Sequence, residues 1–297
     1  MSRTRSIALA LLALSPVTTL AAEGLFEEAG SLREGRHDRY IAPLVNPLFN
    51  ETPYITTEAR ALYMGYELPN DFITGGGSID VYALELRLAL SDRLGFIASK
   101  DGYADIDFDG VLPDESGFAN VSAGLKYAVI DDPEQDTIVT VGVEYEIPVG
   151  NLETAGINLQ GDGDGFLDVF VSAAGADGRF GYQTSLGYNY AIDDKRNSSA
   201  LHYSAHLNYE MTPRLYPIAE LNGITVVDDG DRTPVDFEGF DLVNFGSTDA
   251  GTVVTLAFGG RFLATKHVQL GFGYEFPISD DEDIIDRKIY LDLVWHR

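Results

Sequence analysis

The chain lacks, or has little of, the residues on which several classes of protein depend. Its 297 residues include no cysteine and one tryptophan, and 20 lysines and arginines stand against 47 aspartates and glutamates. Without cysteine there are no disulfides, no thiol catalysis and no cysteine metal sites. A formal net charge of −27 disfavours nucleic acid as a partner and favours cations. We therefore expect no cofactor and no nucleic-acid partner.

Long hydrophobic runs are also missing. The apolar run at residues 7–14 (IALALLAL) is much shorter than the roughly 18 residues of a membrane-spanning helix. It follows Arg3 and Arg5 and precedes the small residues Ala21 and Ala22, which is the order found in a secretory signal peptide. We predict a signal peptide at residues 1–22 and export through it; an ordinary buried helix is the alternative.

From residue 56 onward the sequence alternates between apolar and polar residues. In one segment Val141 and Val143 alternate with Thr140 and Glu144. Successive strand residues point to opposite sides, so each such segment has one apolar and one polar face. The alternation predicts about twelve strands, at residues 56–67, 78–90, 93–101, 117–129, 137–147, 165–174, 179–191, 199–210, 214–226, 251–263, 266–277 and 285–296.

The connections between these segments alternate in length. Odd-numbered connections are long, as at residues 102–116 and 228–250, and even-numbered ones are tight, as at 264–265. The one exception is the short odd-numbered connection at 279–283. Long loops on one side and tight turns on the other are typical of bacterial outer-membrane barrels, as is an even number of strands. We predict an all-β fold, an antiparallel transmembrane β-barrel at residues 55–297 in the bacterial outer membrane.

The residues before the first strand do not alternate clearly. Pro43, Pro47 and Pro53 would each interrupt a hydrogen-bonded ladder. We predict that residues 23–54 form a short N-terminal extension, either a periplasmic arm or a partial plug.

Four phrases of the sequence carry a resemblance to known proteins. They lie at residues 46–58 (NPLFNETPYITTE), 99–103 (SKDGY), 124–127 (GLKY) and 145–150 (YEIPVG). They resemble a set of uncharacterised exported proteins that look like distant relatives of the transporter-like outer-membrane family named for the MetA pathway of phenol degradation. The resemblance covers most of the chain after residue 22 and includes no catalytic signature. It implies a porin- or transporter-like barrel for small hydrophobic or aromatic compounds.

The C-terminus partly matches the signal that barrel-assembly machinery reads. Ile289, Leu291 and Leu293 alternate toward the aromatic Trp295, but His296 and Arg297 follow it. We expect the assembly machinery and outer-membrane lipid as partners.

Charged and polar residues on the face opposite the apolar one are the best indication of function, because that face lines the lumen of a closed barrel. The predicted lumen-lining residues are Glu85, Arg87, Lys126, Glu144, Glu146, His202, His206, Glu210, Glu220, Arg261, Glu275, Lys288 and Asp292. They form either a polar conduit or a salt-bridge network that fills the barrel. A barrel of about twelve strands lies between filled and open barrels, so both interpretations stay open.

Two local patterns suggest other chemistry less well. His202, Ser204 and His206 share a strand face, but four residues along a strand span roughly 13 Å, too far for both histidines to bind one ion. Asp162 and Asp164 in GDGDG resemble the opening of a calcium loop, but the closing glutamate of an EF-hand is missing. We predict no catalytic residue, and a weak calcium candidate at most.

The function predicted from the sequence is passive passage of small solutes, with a preference for cations in any open pore. One alternative is a structural or adhesive barrel with a plugged lumen and acidic surface loops. The other is a soluble secreted β-sandwich that binds carbohydrate. We do not expect an enzyme.

Overall fold

The chain forms a closed antiparallel barrel. The computed structural model describes residues 29–33, 36–161, 163–280 and 283–297, so the predicted signal peptide lies outside the described residues. No helix among the described residues is long and apolar enough to cross a membrane. The strands are β1 (Glu58–Leu68), β2 (Gly77–Ala89), β3 (Leu94–Ala98), β4 (Gly102–Phe108), β5 (Glu115–Phe118), β6 (Val121–Asp132), β7 (Thr137–Ile147), β8 (Glu153–Thr154), β9 (Ile157–Asn158), β10 (Phe166–Asp177), β11 (Phe180–Ala191), β12 (Ser199–Tyr209), β13 (Leu215–Asp228), β14 (Thr252–Thr265), β15 (Val268–Pro277) and β16 (Arg287–His296).

The wall of the barrel consists of twelve strands, some of them made of two shorter segments, and the sheet closes on itself. β1 pairs with β2 on one side and with β16 on the other. β3 and β4 both pair with β2 and together form one wall strand, and β5 and β6 form the next. The small β8–β9 hairpin stands apart. The predicted twelve-stranded antiparallel barrel is confirmed.

Strand parity sorts the side chains between lipid and lumen. On β7 the side chain of Val143 is 42% exposed, whereas its neighbour Glu144 is 5% exposed and points inward. The same alternation places Leu84 and Leu86 of β2 outside and Glu85 and Arg87 inside. The long connections mark the extracellular end, and the tight turns mark the periplasmic end.

Two connections differ from the sequence prediction. Residues 102–116 were expected to be a long loop, but they contain β4 and the start of β5, which extend the wall above the membrane. There Asp105 and Asp107 face solvent while Ala104 and Ile106 face inward, which reverses the apolar-outside pattern used to recognise strands. The connection between β15 and β16 runs over residues 278–286 and is longer than predicted.

The inner face is not polar throughout, as the barrel pattern had suggested. Its periplasmic half carries charges, but its extracellular half carries Leu62, Met64 and Tyr66 of β1 and Ile79 and Val81 of β2, all buried. These side chains pack against extracellular loops that fold into the barrel mouth. They therefore belong to an apolar core, whereas the sequence pattern predicted a polar surface lining the lumen.

We expect opposite effects from substitutions at adjacent positions on β7. Val143→Arg should destabilise the barrel by roughly 2–4 kcal/mol, because it places a cation in the lipid near the midplane. Glu144→Gln should leave folding nearly intact, because an amide can still accept the hydrogen bonds from Ser99 and Ser122. Unfolding titrations in lipid vesicles measure both, and the reverse order of stabilities would contradict the register.

Candidate functional site

An N-terminal segment occupies the lumen. Residues 40–56, which we call the plug, are buried inside the barrel apart from the half-buried Leu48. The plug enters and leaves at the periplasmic end, where His37 contacts Asp131 at the end of β6 and Asp136 in the β6–β7 turn, and where residue 58 begins β1. The extension thus contains a re-entrant loop with its tip in the barrel.

Wall side chains hold the backbone of the incoming half of the plug. The carboxylate of Glu220 accepts hydrogen bonds from the backbone N–H groups of Leu44 and Val45, both at 2.8 Å. The guanidinium of Arg261 donates to the carbonyls of Ala42 and Pro43 at 2.5 Å. Pro43 interrupts any hydrogen-bonded ladder, so the backbone groups around it have no strand to pair with. Side chains of the wall supply their hydrogen-bond partners instead.

Charged residues at the periplasmic half of the lumen form one connected group, which we call the ionic cluster. Its members are buried, and they are Glu51 from the plug and Glu58, Arg60, Glu85, Arg87, Lys126, Arg261 and Asp292 from the wall. Arg60 and Arg261 share the carboxylate of Asp292, at 2.7 and 2.6 Å. Buried charges are tolerated when each is paired and hydrogen-bonded, and this arrangement pairs them.

Glu51 joins the plug to the ionic cluster. Its carboxylate lies 2.5 Å from Nη2 of Arg87 and 2.6 Å from Nζ of Lys126, which also donates to the carbonyl of Thr52 at 2.7 Å. Burial alone would raise the pKa of Glu51, but the attraction of these two cations outweighs it and lowers the pKa from 4.5 to about 2. Glu51 is therefore held as a carboxylate.

A second buried group closes the extracellular half. Residues 229–251, the β13–β14 loop, fold into the mouth, and Asp241 reaches Lys288 on β16 at 2.8 Å. The ammonium of Lys288 also lies 3.2 Å from Glu275 and over the rings of Tyr66 and Phe240. In the same loop, burial raises the pKa of Glu238, whose carboxylate accepts hydrogen bonds from the backbone N–H groups of Gly246 and Ser247.

The structure brings most of the predicted lumen residues inward but divides them among several groups. Glu144 accepts hydrogen bonds from Ser99 and Ser122, and Glu146 binds Asn120 and Lys100. His206 contacts Glu220 and His202 contacts Asp168. Glu210 differs, because it follows the end of β12 and lies half-buried at the periplasmic rim, 3.6 Å from Arg39.

The weak calcium candidate has no supporting geometry in the part of the chain that is described. Asp162 lies outside the described residues, and Asp164 is exposed. Across residues 29–33, 36–161, 163–280 and 283–297, no group of three or more potential ligands could hold a metal ion.

Sequence reasoning missed four charged members of the ionic cluster and of the group around Lys288. Glu58 and Arg60 lie on β1 at the same parity as the inward-facing Leu62, so the period-two pattern could have found them. Glu51 and Asp241 lie in irregular segments, where no periodicity indicates the direction of a side chain.

An apolar pocket of about 190 Å³ lies at the extracellular mouth. It is lined by strand ends such as Leu68 and Ile106 and by a row of three rings, with Phe237 4.6 Å from Phe72 and 5.1 Å from Phe245. Apart from two threonines, every side chain that lines it is apolar. The pocket can hold a small apolar molecule, since an apolar cavity of about 150 Å³ is enough to bind benzene.

Two solved structures share the fold. An outer-membrane channel from Pseudomonas putida F1 is 14% identical, with 87% of this chain and 100% of that chain covered and a TM-score of 0.57. The NanC porin is 9% identical, with 81% of this chain and 99% of that chain covered and a TM-score of 0.50. No protein-family model and no curated protein matches the sequence. At these identities the likeness establishes an outer-membrane type of barrel and leaves the solute open.

We predict that acid loosens the plug. A pKa lowered on binding means that Glu51 stabilises the plug fully above about pH 4.5, and that this contribution is lost as the pH falls toward 2. Glu51→Gln removes the charge at every pH. Pepsin cleavage within residues 40–56 should therefore be faster in the variant than in the wild type at pH 5. The ratio of the two cleavage rates should approach one near pH 2.

Comparing the two proteins at each pH cancels the pH dependence of pepsin itself. A cleavage ratio that stays constant from pH 5 to pH 2 would show that the charge of Glu51 does not hold the plug.

Proposed function

We propose that the protein is a porin- or transporter-like barrel through which small solutes cross the outer membrane passively, and that the plug closes it in the conformation described. The observation that carries the proposal is the way in which the lumen is filled. A separate segment fills it, and polar contacts with a polar wall hold that segment in place. Two of the solved structures that share the fold are named as a channel and a porin, which supports the same function.

The polar contacts of the plug are of a kind that water can replace. Ion pairs and hydrogen bonds to Arg87, Lys126 and Glu220 exchange with water when the lumen opens, because each protein group then regains a hydration partner. A lumen closed for structural reasons alone would be filled more stably by apolar side chains from the wall, since replacing a buried ion pair by packed apolar residues is often neutral or stabilising. The polar contacts therefore favour a removable stopper, and apolar side chains of the plug such as Leu44 and Val45 add to its hold by packing in the apolar core.

The apolar pocket supports small hydrophobic or aromatic compounds as solutes. It opens among the extracellular loops, where a compound would arrive, and its four phenylalanine rings suit an aromatic guest. This is also the class that the resemblance to the phenol-degradation family implies. We propose no enzymatic activity, and we retain outer-membrane lipid and the assembly machinery as partners.

Planar-bilayer recording tests the passage of solutes. Glu51→Ala removes the partner of Arg87 and Lys126, so the plug should leave the lumen more often and the fraction of time in an open state should rise at least about tenfold. Glu134→Ala is the matched control, since Glu134 lies exposed in the β6–β7 turn. The open state should prefer cations under a salt gradient, because the net charge is −27.

Recordings without conductance in either the wild type or Glu51→Ala, from protein that is folded by circular dichroism, would contradict the proposal. They would favour the structural or adhesive barrel instead.

Calorimetric titration with toluene tests the apolar pocket. Val235→Trp should abolish binding by filling the pocket, whereas Val149→Trp, at an exposed position that does not line it, should leave binding unchanged. Equal affinity in the two variants would remove the pocket from the proposal.

A further inference from the structure

The lumen-facing side of β11 and β12 differs from the rest of the wall. Neither strand contains Asp, Glu, Lys or Arg. Its inward positions carry small or neutral polar groups and two histidines: Gly181, Gln183, Ser185, Gly187, Asn189, His202, Ser204, His206 and Asn208. We call these residues the β11–β12 face. The ion pairs that fix the plug come from β2 and β6, on a different part of the wall.

Several polar atoms in the middle of this face have no hydrogen-bond partner among the residues that the structure describes. They are Oγ of Ser185, Oγ of Ser204 and Nδ1 of His202, joined by Oγ of Ser172 on the adjacent β10. Each of these residues is at most 3% exposed. Ser172, Ser185 and Ser204 are direct cross-strand neighbours, so three unpartnered hydroxyls stand side by side at mid-height in the barrel. Buried hydroxyls are normally satisfied by protein, ordered water or a polar ligand, so these hydroxyls can bind small polar molecules when the plug moves away from this part of the wall.

The patch lies on a line between two cavities. At the periplasmic end a cavity of about 310 Å³ is lined by Gly181 and Asn208. Toward the extracellular end a cavity of about 20 Å³ is lined by Asn189 and by Phe49 of the plug. The unpartnered hydroxyls therefore lie between a periplasmic cavity and a small outer cavity.

Glycines keep the side chains of this face flat against the wall. A Cβ atom at Gly187 would overlap the ring of His202, and one at Gly181 would lie 2.7 Å from the amide nitrogen of Asn208. Because both positions are glycine, the larger side chains lie across the neighbouring strand instead of projecting toward the plug.

Contacts between wall and plug at two positions narrow the path along the β11–β12 face. Gln183 accepts a hydrogen bond from Thr52 at 2.9 Å and donates one to the carbonyl of Ile41 at 2.6 Å. Farther out, the ring of Phe49 stacks on His202 with centroids 4.4 Å apart. The stacked pair involves no ion pair between wall and plug.

We propose that water and small uncharged polyols cross the barrel along the β11–β12 face, between wall and plug, with Phe49 as the outer constriction. The hydroxyl row supplies donors and acceptors that match hydroxylated solutes and replace their hydration. This route differs from the apolar pocket, which lies beside β1, β2 and β4. The proposal rests on the proposed function only in requiring that solutes cross the lumen at all.

Cysteine accessibility tests the route, since the chain has no cysteine of its own. In purified protein, Ser204→Cys and Ser185→Cys should react with the neutral reagent methyl methanethiosulfonate at least about tenfold faster than Thr255→Cys, because a buried thiol without access to water reacts only through rare opening. Thr255 is a matched control: it is a buried hydroxyl of the inner face, but Glu275 accepts its hydrogen bond. Two target positions guard against one variant failing to fold.

The second part of the experiment tests whether Phe49 limits access to Ser204 and whether blocking this position stops the passage of glycerol. Phe49→Ala should accelerate labelling of Ser204→Cys and leave Thr255→Cys unchanged. In liposomes, labelled Ser204→Cys should lose most of its glycerol-driven swelling, and labelled Thr255→Cys should keep it. Equal labelling of all positions, or labelling of Ser204→Cys that leaves swelling intact, overturns the route while the conductance of Glu51→Ala still supports a channel. Absence of both swelling and conductance in every variant overturns the proposed function itself, and the route with it.

Discussion

Charges buried in the lumen of a barrel have to be neutralised by other charges in the lumen, because lipid surrounds the wall and bulk water does not reach them. In the ionic cluster, Arg60, Arg87, Lys126 and Arg261 meet the three wall carboxylates Glu58, Glu85 and Asp292. The wall of this cluster is therefore one negative charge short, and Glu51 of the plug supplies it. With the plug absent, the same wall would carry an unpaired buried cation or would have to admit water. The charge balance of the ionic cluster therefore depends on the plug being in the lumen.

Two segments that enter the barrel from opposite ends are each held by a carboxylate that pairs with buried cations of the wall. The plug enters from the periplasmic end and presents Glu51 to Arg87 and Lys126, while the β13–β14 loop enters from the extracellular end and presents Asp241 to Lys288. Between them a cavity of about 50 Å³ is lined by Leu48 of the plug and Leu242 of the loop. The lumen is closed by two independently anchored stoppers, and their apolar tips face each other.

The sequence predicted the wall well because lipid imposes a simple rule on it. Val143 and Glu144 could be placed on opposite sides from parity alone, and the strand limits agree within a few residues for most of the barrel. The rule fails where lipid ends. Asp105 and Ile106 on β4 reverse the expected polarity because their strand stands above the membrane. The candidate site was predicted only in part, since its wall members follow the alternation while Glu51 lies in an irregular segment, where its direction depends on long-range contacts.

The attachment of the plug at both of its ends limits how it can move. Its entry is held by the contacts of His37 with the end of β6 and with the β6–β7 turn, and its exit continues directly into β1. Near the same end, the backbone N–H of Ser31 bonds to the carbonyl of Ile55 and the rings of Tyr40 and Tyr54 lie 5.2 Å apart, so the two arms of the loop are also joined to each other. Ejecting the whole loop would break all of these contacts together with the ionic cluster. Bending the loop away from one side of the wall breaks far fewer, and the side with the weakest hold is the one without charged partners. For that reason we expect small openings of the lumen to occur along β11 and β12 while Glu51 stays paired, and larger ones to need the loss of that pair.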